Sequence, residues 1–177
     1  IPLNFKKQKI DDYIISKFDI KSKKINLEPW KKLQSKIQKR RKNIDIVMIG
    51  KYTNLVDSYK SLNEAVFHAG VFNNKIVKIH YIDSESITKE NIKRLSKMNG
   101  IIVPGGFGTR GVEGKILAAN YARINNIPYF GICLGMQISV IEYARNCIHL
   151  LKANSTEFQK NTPNPVIALV SEWEDHK

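Results

Sequence analysis

The sequence predicts an α/β protein with a doubly wound, mainly parallel sheet and helices on both faces. From Ile44 onward, short apolar runs alternate with longer segments of helical periodicity, which is typical of parallel strands joined by crossover helices. The run at 101–103 is apolar at every position, as expected of a strand that is buried on both faces. Two of the runs lead into glycine-rich stretches, and sites in such sheets form at the carboxyl ends of strands.

Each predicted element has a local reason. Residues 44–49 are rich in β-branched side chains and stop at Gly50. The next helix can be capped by Asp57 or Ser58 and is expected to stop at Gly70. The remaining predicted elements are a strand at 75–82, a helix at 88–98 with Ile92 and Leu95 inward, a strand at 101–103, a helix at 113–126, a strand at 128–132, a helix at 134–146 and a strand at 166–170.

Residues 1–43 are predicted to be a basic linker that precedes an α/β domain at 44–177. The 177 residues carry a formal net charge of +13, and residues 1–42 alone hold 14 basic and 4 acidic side chains. Two short helices are expected there, one capped by Asp11 or Asp12 and one beginning at Pro29. A basic run can hold phosphates, but few aromatic residues are interleaved, so a solvated face and no nucleic-acid partner are expected.

Composition also limits the compartment. No apolar run approaches the roughly 20 residues of a membrane-spanning helix, and the first residues do not resemble a targeting segment. Two cysteines without repeated spacing indicate a reducing compartment and no disulfide framework. We therefore expect a cytoplasmic protein with no membrane partner and no metal site.

A nucleophile elbow is predicted where an apolar run ends in GICLG (131–135). In a G-x-C-x-G sequence the nucleophile occupies a strained strand-to-helix corner, and the glycines remove side chains that would collide across it. The positive end of the helix dipole favours the thiolate of Cys133. The alternative is a small buried core cysteine, which is how we interpret Cys147.

A second glycine-rich stretch, PGGFGTRG (104–111), follows the strand at 101–103. Its G-x-G-x-x-G pattern, from Gly106 through Gly108 to Gly111, occurs in dinucleotide-binding loops. The acidic residue required about 20 residues further on is missing, because that region is the elbow itself. A Gly-Gly turn beside a nucleophile instead offers backbone N–H groups for an oxyanion hole, with a merely structural turn as the alternative.

Together these stretches resemble the class I, triad-type glutamine amidotransferases, which implies a flavodoxin-like fold. The family motifs are VPGG (103–106) and GICLGMQ (131–137). Longer matches to one branch of the family, with a glutaminase domain fused to a synthase domain, are GKYTNLVDSYKSLNEA (50–65), GFGTRGVEGK (106–115), NNIPYFGICLGMQ (125–137) and ANSTEF (153–158). The segment IPLNFKKQKIDDYI (1–14) resembles the end of that synthase domain.

The resemblance implies that glutamine is hydrolysed through a cysteinyl thioester and that the ammonia passes to the synthase domain. That domain uses ATP and Mg²⁺ to aminate UTP to CTP in pyrimidine nucleotide biosynthesis, so no cofactor is expected in this chain. GTP is implied as an allosteric effector sensed near Phe107 and Arg110. The partners implied are L-glutamine, the chain's own synthase domain with its UTP, ATP and CTP sites, and further copies in a homotetramer.

The resemblance also assigns site residues. It makes Cys133 the nucleophile, and it places Gly106 in the oxyanion hole together with the backbone N–H of Leu134. It makes Glu157 the acid that holds the α-amino group of glutamine. The other substrate-binding positions that it implies are Gly135, Met136 and Gln137.

A cysteine nucleophile needs a base, and the family uses a His-x-Glu pair downstream of the ANSTEF motif. The chain ends at Lys177 without such a pair. None of its histidines, His68, His80, His149 and His176, matches the position of that base. We therefore expect an excised piece of a longer enzyme, incomplete at its C-terminal end, which by itself turns over glutamine very slowly.

Two other classes of protein stay open. A peptidase or deglycase on the same elbow usually has a histidine directly after the cysteine, where this chain has Leu134. A non-catalytic binding or regulatory module that keeps the fold would account for the missing base. Labelling by an electrophilic glutamine analogue distinguishes the glutaminase from both.

Overall fold

The computed structural model describes residues 1–39, 42–51 and 56–169. The chain forms two compact units. The first comprises Ile1–Lys42 and Phe67–Ile76, and the second comprises Asn43–Val66 and Val77–Lys177. Part of the GKYTNLVDSYKSLNEA motif, the end of the strand predicted at 166–170 and His176 lie outside the described residues.

The N-terminal segment is helical where the sequence predicts it, and in one further place. Pro29 lies in the first turn of a helix, as expected. Asp11 and Asp12 lie inside the first turn of theirs, where they pair with Lys6 at 3.1 and 2.8 Å instead of capping it. The three helices are α1 (Pro2–Lys7), α2 (Ile10–Lys17) and α3 (Glu28–Gln38).

Four strands pair into the main sheet. They are β1 (Lys42–Gly50), β2 (Lys75–Asp83), β3 (Gly100–Val103) and β4 (Tyr129–Gly131). Their order is β2-β1-β3-β4, and both β1–β3 and β3–β4 are parallel, with Ile101 opposite Val47 and Phe130 opposite Ile102. This order reverses direction between β1 and β3, as in flavodoxin-like sheets, and the predicted fold class is confirmed.

The described residues also form three further helices and a second small sheet. The helix α6 has the bounds that the sequence predicts, and α5 agrees within two residues. These elements are α4 (Lys60–Phe72), α5 (Val112–Ile124), α6 (Leu134–Asn146), and the parallel pair β5 (Ala153–Ser155) and β6 (Asn164–Ile167).

Two local predictions are wrong. The helix expected at 88–98 is a 3-10 turn at Ile92–Lys97. Its entry is held by side chains, because Asn91 accepts from the N–H of Thr88 at 3.0 Å and donates to the carbonyl of Ser86 at 2.7 Å, and such bonds compete with helix. The expected stop at Gly70 also fails, since α4 continues to Phe72. Gly70 is buried inside α4, and the cost of glycine within a helix, about 1 kcal/mol, is small enough for tertiary packing to override.

The core covers both faces of the central strands. Val47 and Ile49 are fully buried in one cluster with Val103 and Ala118. Met48 is also fully buried, and successive side chains of a strand point to opposite faces. Both faces of β1 are therefore covered, as expected for a central strand of a doubly wound sheet. A second cluster packs α5 against α6 and includes Ile116, Leu134, Ile138 and Ile141.

Candidate active site

The link between β4 and α6 has the geometry of a nucleophile elbow. Cys133 is the N-cap residue of α6, with φ 52° and ψ −105°, and its side chain is exposed. A residue other than glycine held at such angles costs about 1–3 kcal/mol, and strain of this kind concentrates at functional sites. The elbow therefore presents the thiol to solvent at the carboxyl edge of the sheet.

The glycines on either side of Cys133 are required by this corner. A Cβ on Gly131 would lie 2.3 Å from the carbonyl carbon of Gly135 and 2.5 Å from the nitrogen of Met136. A Cβ on Gly135 would lie 2.0 Å from the carbonyl oxygen of Val103. Both contacts are with backbone, so no side-chain rearrangement can relieve them.

Hydrogen bonds hold the elbow against its neighbours. The N–H of Ile132 donates to the carbonyl of Val103 at 3.0 Å. The hydroxyl of Tyr129 donates to the carbonyl of Gly135 at 2.8 Å. Burial raises the pKa of Tyr129 well above its usual value, so this hydroxyl remains a donor at physiological pH.

The Gly105–Gly106 turn lies against Cys133. A Cβ built on Gly105 would lie 3.5 Å from the Cβ of Cys133, and one built on Gly106 would lie 3.4 Å from Cδ2 of Leu134. Leu134 is the first residue of α6, where backbone N–H groups have no acceptor within the helix. The turn and the helix start thus provide the two positions from which an oxyanion hole beside Cys133 can be built.

The ANSTEF motif closes another side of the site. The carboxylate of Glu157 accepts from the N–H of Gly108 at 2.8 Å, across 49 residues of sequence. A cavity of about 480 Å³ is lined by Gln137, Ser155 and Glu157, among others. Within the described part of the chain, the side-chain oxygen of Gln137 is buried without a hydrogen-bond partner. An amide and a carboxylate therefore share one cavity of a size that suits a small polar ligand.

Met136, Phe107 and Arg110 lie in exposed positions. Met136 is half exposed in the first turn of α6, and its backbone N–H donates to the carbonyl of Cys133 at 3.1 Å. Phe107 is 82% exposed. Arg110 pairs with Glu85 at 2.8 Å and lies 3.8 Å from Asp83. These three side chains are therefore open to solvent.

Two lysines near the Gly105–Gly106 turn are not among the site residues that the sequence predicts. The ammonium of Lys51, just after β1, donates to the carbonyls of Phe107 and Gly108. Lys115 is 1% exposed. The sequence could have indicated the burial of Lys115, because helical periodicity places it on the same face as Val112 and Ala119, which are buried.

Cys147 and two described histidines lie far from the elbow. Cys147 is the half-buried C-cap residue of the 13-residue helix α6, about 20 Å along the helix from Cys133. His149 follows it and is exposed. His80 pairs with Asp45 at 2.7 Å, and Asp45 lies five residues before the carboxyl end of β1, roughly 16 Å along the strand.

A further cavity in the second unit belongs to a different region. It measures about 590 Å³ and is lined mostly by apolar residues, including Ala119, Tyr143 and Val166. None of the predicted site residues lines it. Its chemistry is therefore not that of the elbow.

The strand order and the cysteine elbow after β4 place the protein in one structural class. Comparison with known proteins gives the same class. Residues 54–168 match the family described as glutamine amidotransferase class-I, and the chain belongs to this family. A solved structure, the glutaminase domain of Trypanosoma brucei CTPS with bound acivicin, is similar at 42% sequence identity and a TM-score of 0.69. The match covers 72% of this chain and 50% of that one, so the chain spans about half the length of that relative.

In the ranges 1–39, 42–51 and 56–169, no helix is both long enough and apolar enough to cross a bilayer.

Proposed function

We propose that this chain is the glutaminase domain of an enzyme that makes CTP. The main support is the contact between the elbow and the Gly105–Gly106 turn. A Cβ built on Gly105 would lie only 3.5 Å from the Cβ of Cys133. The proposal draws further support from the similar CTPS domain, whose bound acivicin is a glutamine analogue.

In the proposed reaction, the thiolate of Cys133 attacks the side-chain amide carbon of glutamine. The carbonyl oxygen becomes an oxyanion and accepts hydrogen bonds from the backbone N–H groups of Gly106 and Leu134. Collapse of this intermediate breaks the C–N bond and leaves a thioester, and ammonia departs with a proton supplied by a general acid. Water then cleaves the thioester to glutamate and restores the thiol.

The cavity beside the elbow supplies the proposed recognition of substrate. A carboxylate can accept several hydrogen bonds, so Glu157 can bind the α-ammonium group of glutamine while it keeps its bond to Gly108. Gln137 brings a buried amide oxygen without a partner among the described residues, which suits a donor on the substrate. Gly135 and Met136 contribute the backbone of the first helical turn.

The proposed reaction also needs acid–base groups and a domain that uses the ammonia. His80 and His149 lie far from the elbow along their elements, so we assign proton transfer to the family's His-x-Glu pair.

ATP and Mg²⁺ would act in a synthase domain that aminates UTP, within a homotetramer. GTP would act as effector near Phe107, whose exposed ring can stack on a base. Two free cysteines are in keeping with a cytoplasmic enzyme.

Covalent labelling by acivicin tests the glutaminase proposal. We expect the full-length protein to gain one acivicin adduct on Cys133, as measured by mass spectrometry with peptide mapping. The Cys133→Ser variant should remain unlabelled, and the matched Cys147→Ser variant should label at the unsubstituted rate. Adduct formation on Cys147, or no labelling of a folded protein, would contradict the proposal and favour the deglycase-type or non-catalytic alternative.

A further inference from the structure

Among the described residues, Lys115 is a buried cation whose ammonium has no hydrogen-bond partner. Its side chain is 1% exposed. Buried ammonium groups are normally paired, because loss of hydration is costly when nothing replaces it. Burial, and then the nearby charge of Lys51, lower the pKa of Lys115 to about 8. The group is therefore held in a position that an anion would stabilise.

A small cavity adjoins this ammonium. It measures about 130 Å³ and is lined by Lys115, Lys51, Tyr59 and the turn from Pro104 to Phe107. That volume is far below the roughly 300–1,000 Å³ of pockets for drug-sized ligands. It corresponds to about four waters at liquid density, which suits a single tetrahedral oxyanion.

Lys51 adds a second cation at the same cavity. Its ammonium donates to the carbonyls of Phe107 and Gly108, so it neutralises two backbone acceptors that would otherwise repel an anion. An ammonium has three donors, and Lys51 can therefore also donate to a ligand. Asp83 and Glu85 act on Lys115 through their charges, but both carboxylates also pair with Arg110.

The position in the fold favours a ligand as well. The cavity lies at the carboxyl ends of β1 and β3, because Gly50 ends one strand and Pro104 follows the other. The strand order reverses between these two strands, and open α/β sheets bind ligands at such a switch point. The elbow belongs to β4, the next strand along, so this cavity is separate from the one beside Gln137 and Glu157.

We propose that the cavity between Lys51 and Lys115 is a binding site for a single small oxyanion such as inorganic phosphate. The ammonium of Lys115 supplies the principal charge-assisted hydrogen bond and Lys51 supplies a second. The site does not depend on the glutaminase reaction. Because one wall is the Gly105–Gly106 turn that packs on Cys133, an anion bound here also stiffens the turn that would form the oxyanion hole.

Phosphate titration of the full chain tests the site. Binding is measured by calorimetry for the unsubstituted protein, for Lys115→Met and for Lys97→Met, which removes the same charge from an exposed lysine. Lys115→Met should weaken phosphate binding by about 10- to 100-fold, the loss expected for one hydrogen bond between charged groups. Lys97→Met should leave the affinity unchanged.

A second measurement needs no substitution. The pKa of Lys115, followed by the ¹³C shift of its ε-carbon, should rise from about 8 to about 9 or higher at saturating phosphate, because an anion that prefers the ammonium must raise its pKa reciprocally. Equal phosphate affinity in the two lysine variants, or a Lys115 pKa that phosphate does not change, would overturn the proposal and leave the cavity to water.

Discussion

Gly135→Ala is the sharpest test of the elbow geometry. The added methyl would lie 2.0 Å from the carbonyl oxygen of Val103 and 2.9 Å from its carbonyl carbon. Ordinary contact begins near 3.4 Å, so α6 and β3 must separate by about 1.4 Å. That movement would stretch the bond from Tyr129 to the carbonyl of Gly135, now 2.8 Å.

The expected effect has a definite sign. Alanine is intrinsically better than glycine in a helix by up to about 1 kcal/mol, so without the clash the variant would be more stable. Overpacking against rigid backbone costs about 1–3 kcal/mol, and we expect a loss near the upper end. For a protein of this size, a loss of 3 kcal/mol lowers the Tm by about 6–12 °C.

Thermal unfolding followed by circular dichroism measures this change. Gly106→Ala is the matched control, because the same methyl there meets only Cδ2 of Leu134 at 3.4 Å, and its Tm should stay close to that of the unsubstituted protein. A 1 Å displacement near a reacting group can cost about 10²-fold in rate, so acivicin labelling of Cys133 should also slow in Gly135→Ala. A Gly135→Ala protein as stable as the unsubstituted one would refute the elbow packing described here.

Two further predictions concern catalysis and the α5–α6 interface. In the full-length enzyme, the methyl of Gly106→Ala keeps the backbone N–H but should obstruct the proposed site or misdirect that donor. Because loss of one such donor costs about 10²- to 10³-fold, we expect a loss of up to that size with glutamine and none with free ammonia; an equal loss with both nitrogen sources would indicate damage elsewhere. Burial alone would raise the pKa of Glu142, but hydrogen bonds from Arg123, Asn120 and Asn146 bring it below its usual value. The stability from this pairing is present above the ordinary glutamate pKa of about 4.3 and is lost as the pH falls through the lowered value. Arg123→Met leaves the Glu142 carboxylate to burial, which raises its pKa, so the free energy of unfolding should fall by about 3 kcal/mol at pH 7. The loss should shrink progressively as the pH falls below about 4.3 toward the lowered pKa, as measured by urea denaturation; a loss independent of pH would contradict the assignment.

Several features followed from the sequence because their causes are local. The bounds of α6 are set by the elbow at one end and by the helical pattern over 13 residues, and both are visible in a short window. The same holds for the strain at Cys133, since the glycines that permit it lie two residues away on each side. A corner with no room for a Cβ requires glycine at fixed positions, and this requirement can be read in the sequence.

Other features depended on contacts between residues far apart in the chain. The bond from Gly108 to Glu157, the pairing of β5 with β6 and the cavity shared by Lys51 and Lys115 join segments that no local pattern connects. The wrong helix at 88–98 has the opposite cause, since Asn91 and its neighbours satisfy the backbone with side chains.

The sequence by itself predicted the fold class, the strand-to-helix corner at Cys133 and the family. Apolar periodicity and glycine spacing record these properties directly, because each residue needs only its near neighbours to reveal them. The tertiary structure decided which loops meet at the carboxyl edge of the sheet and which polar groups are buried there. Burial and partnership are properties of the packed chain, and for that reason Lys115 became a candidate for ligand binding only once its surroundings were known.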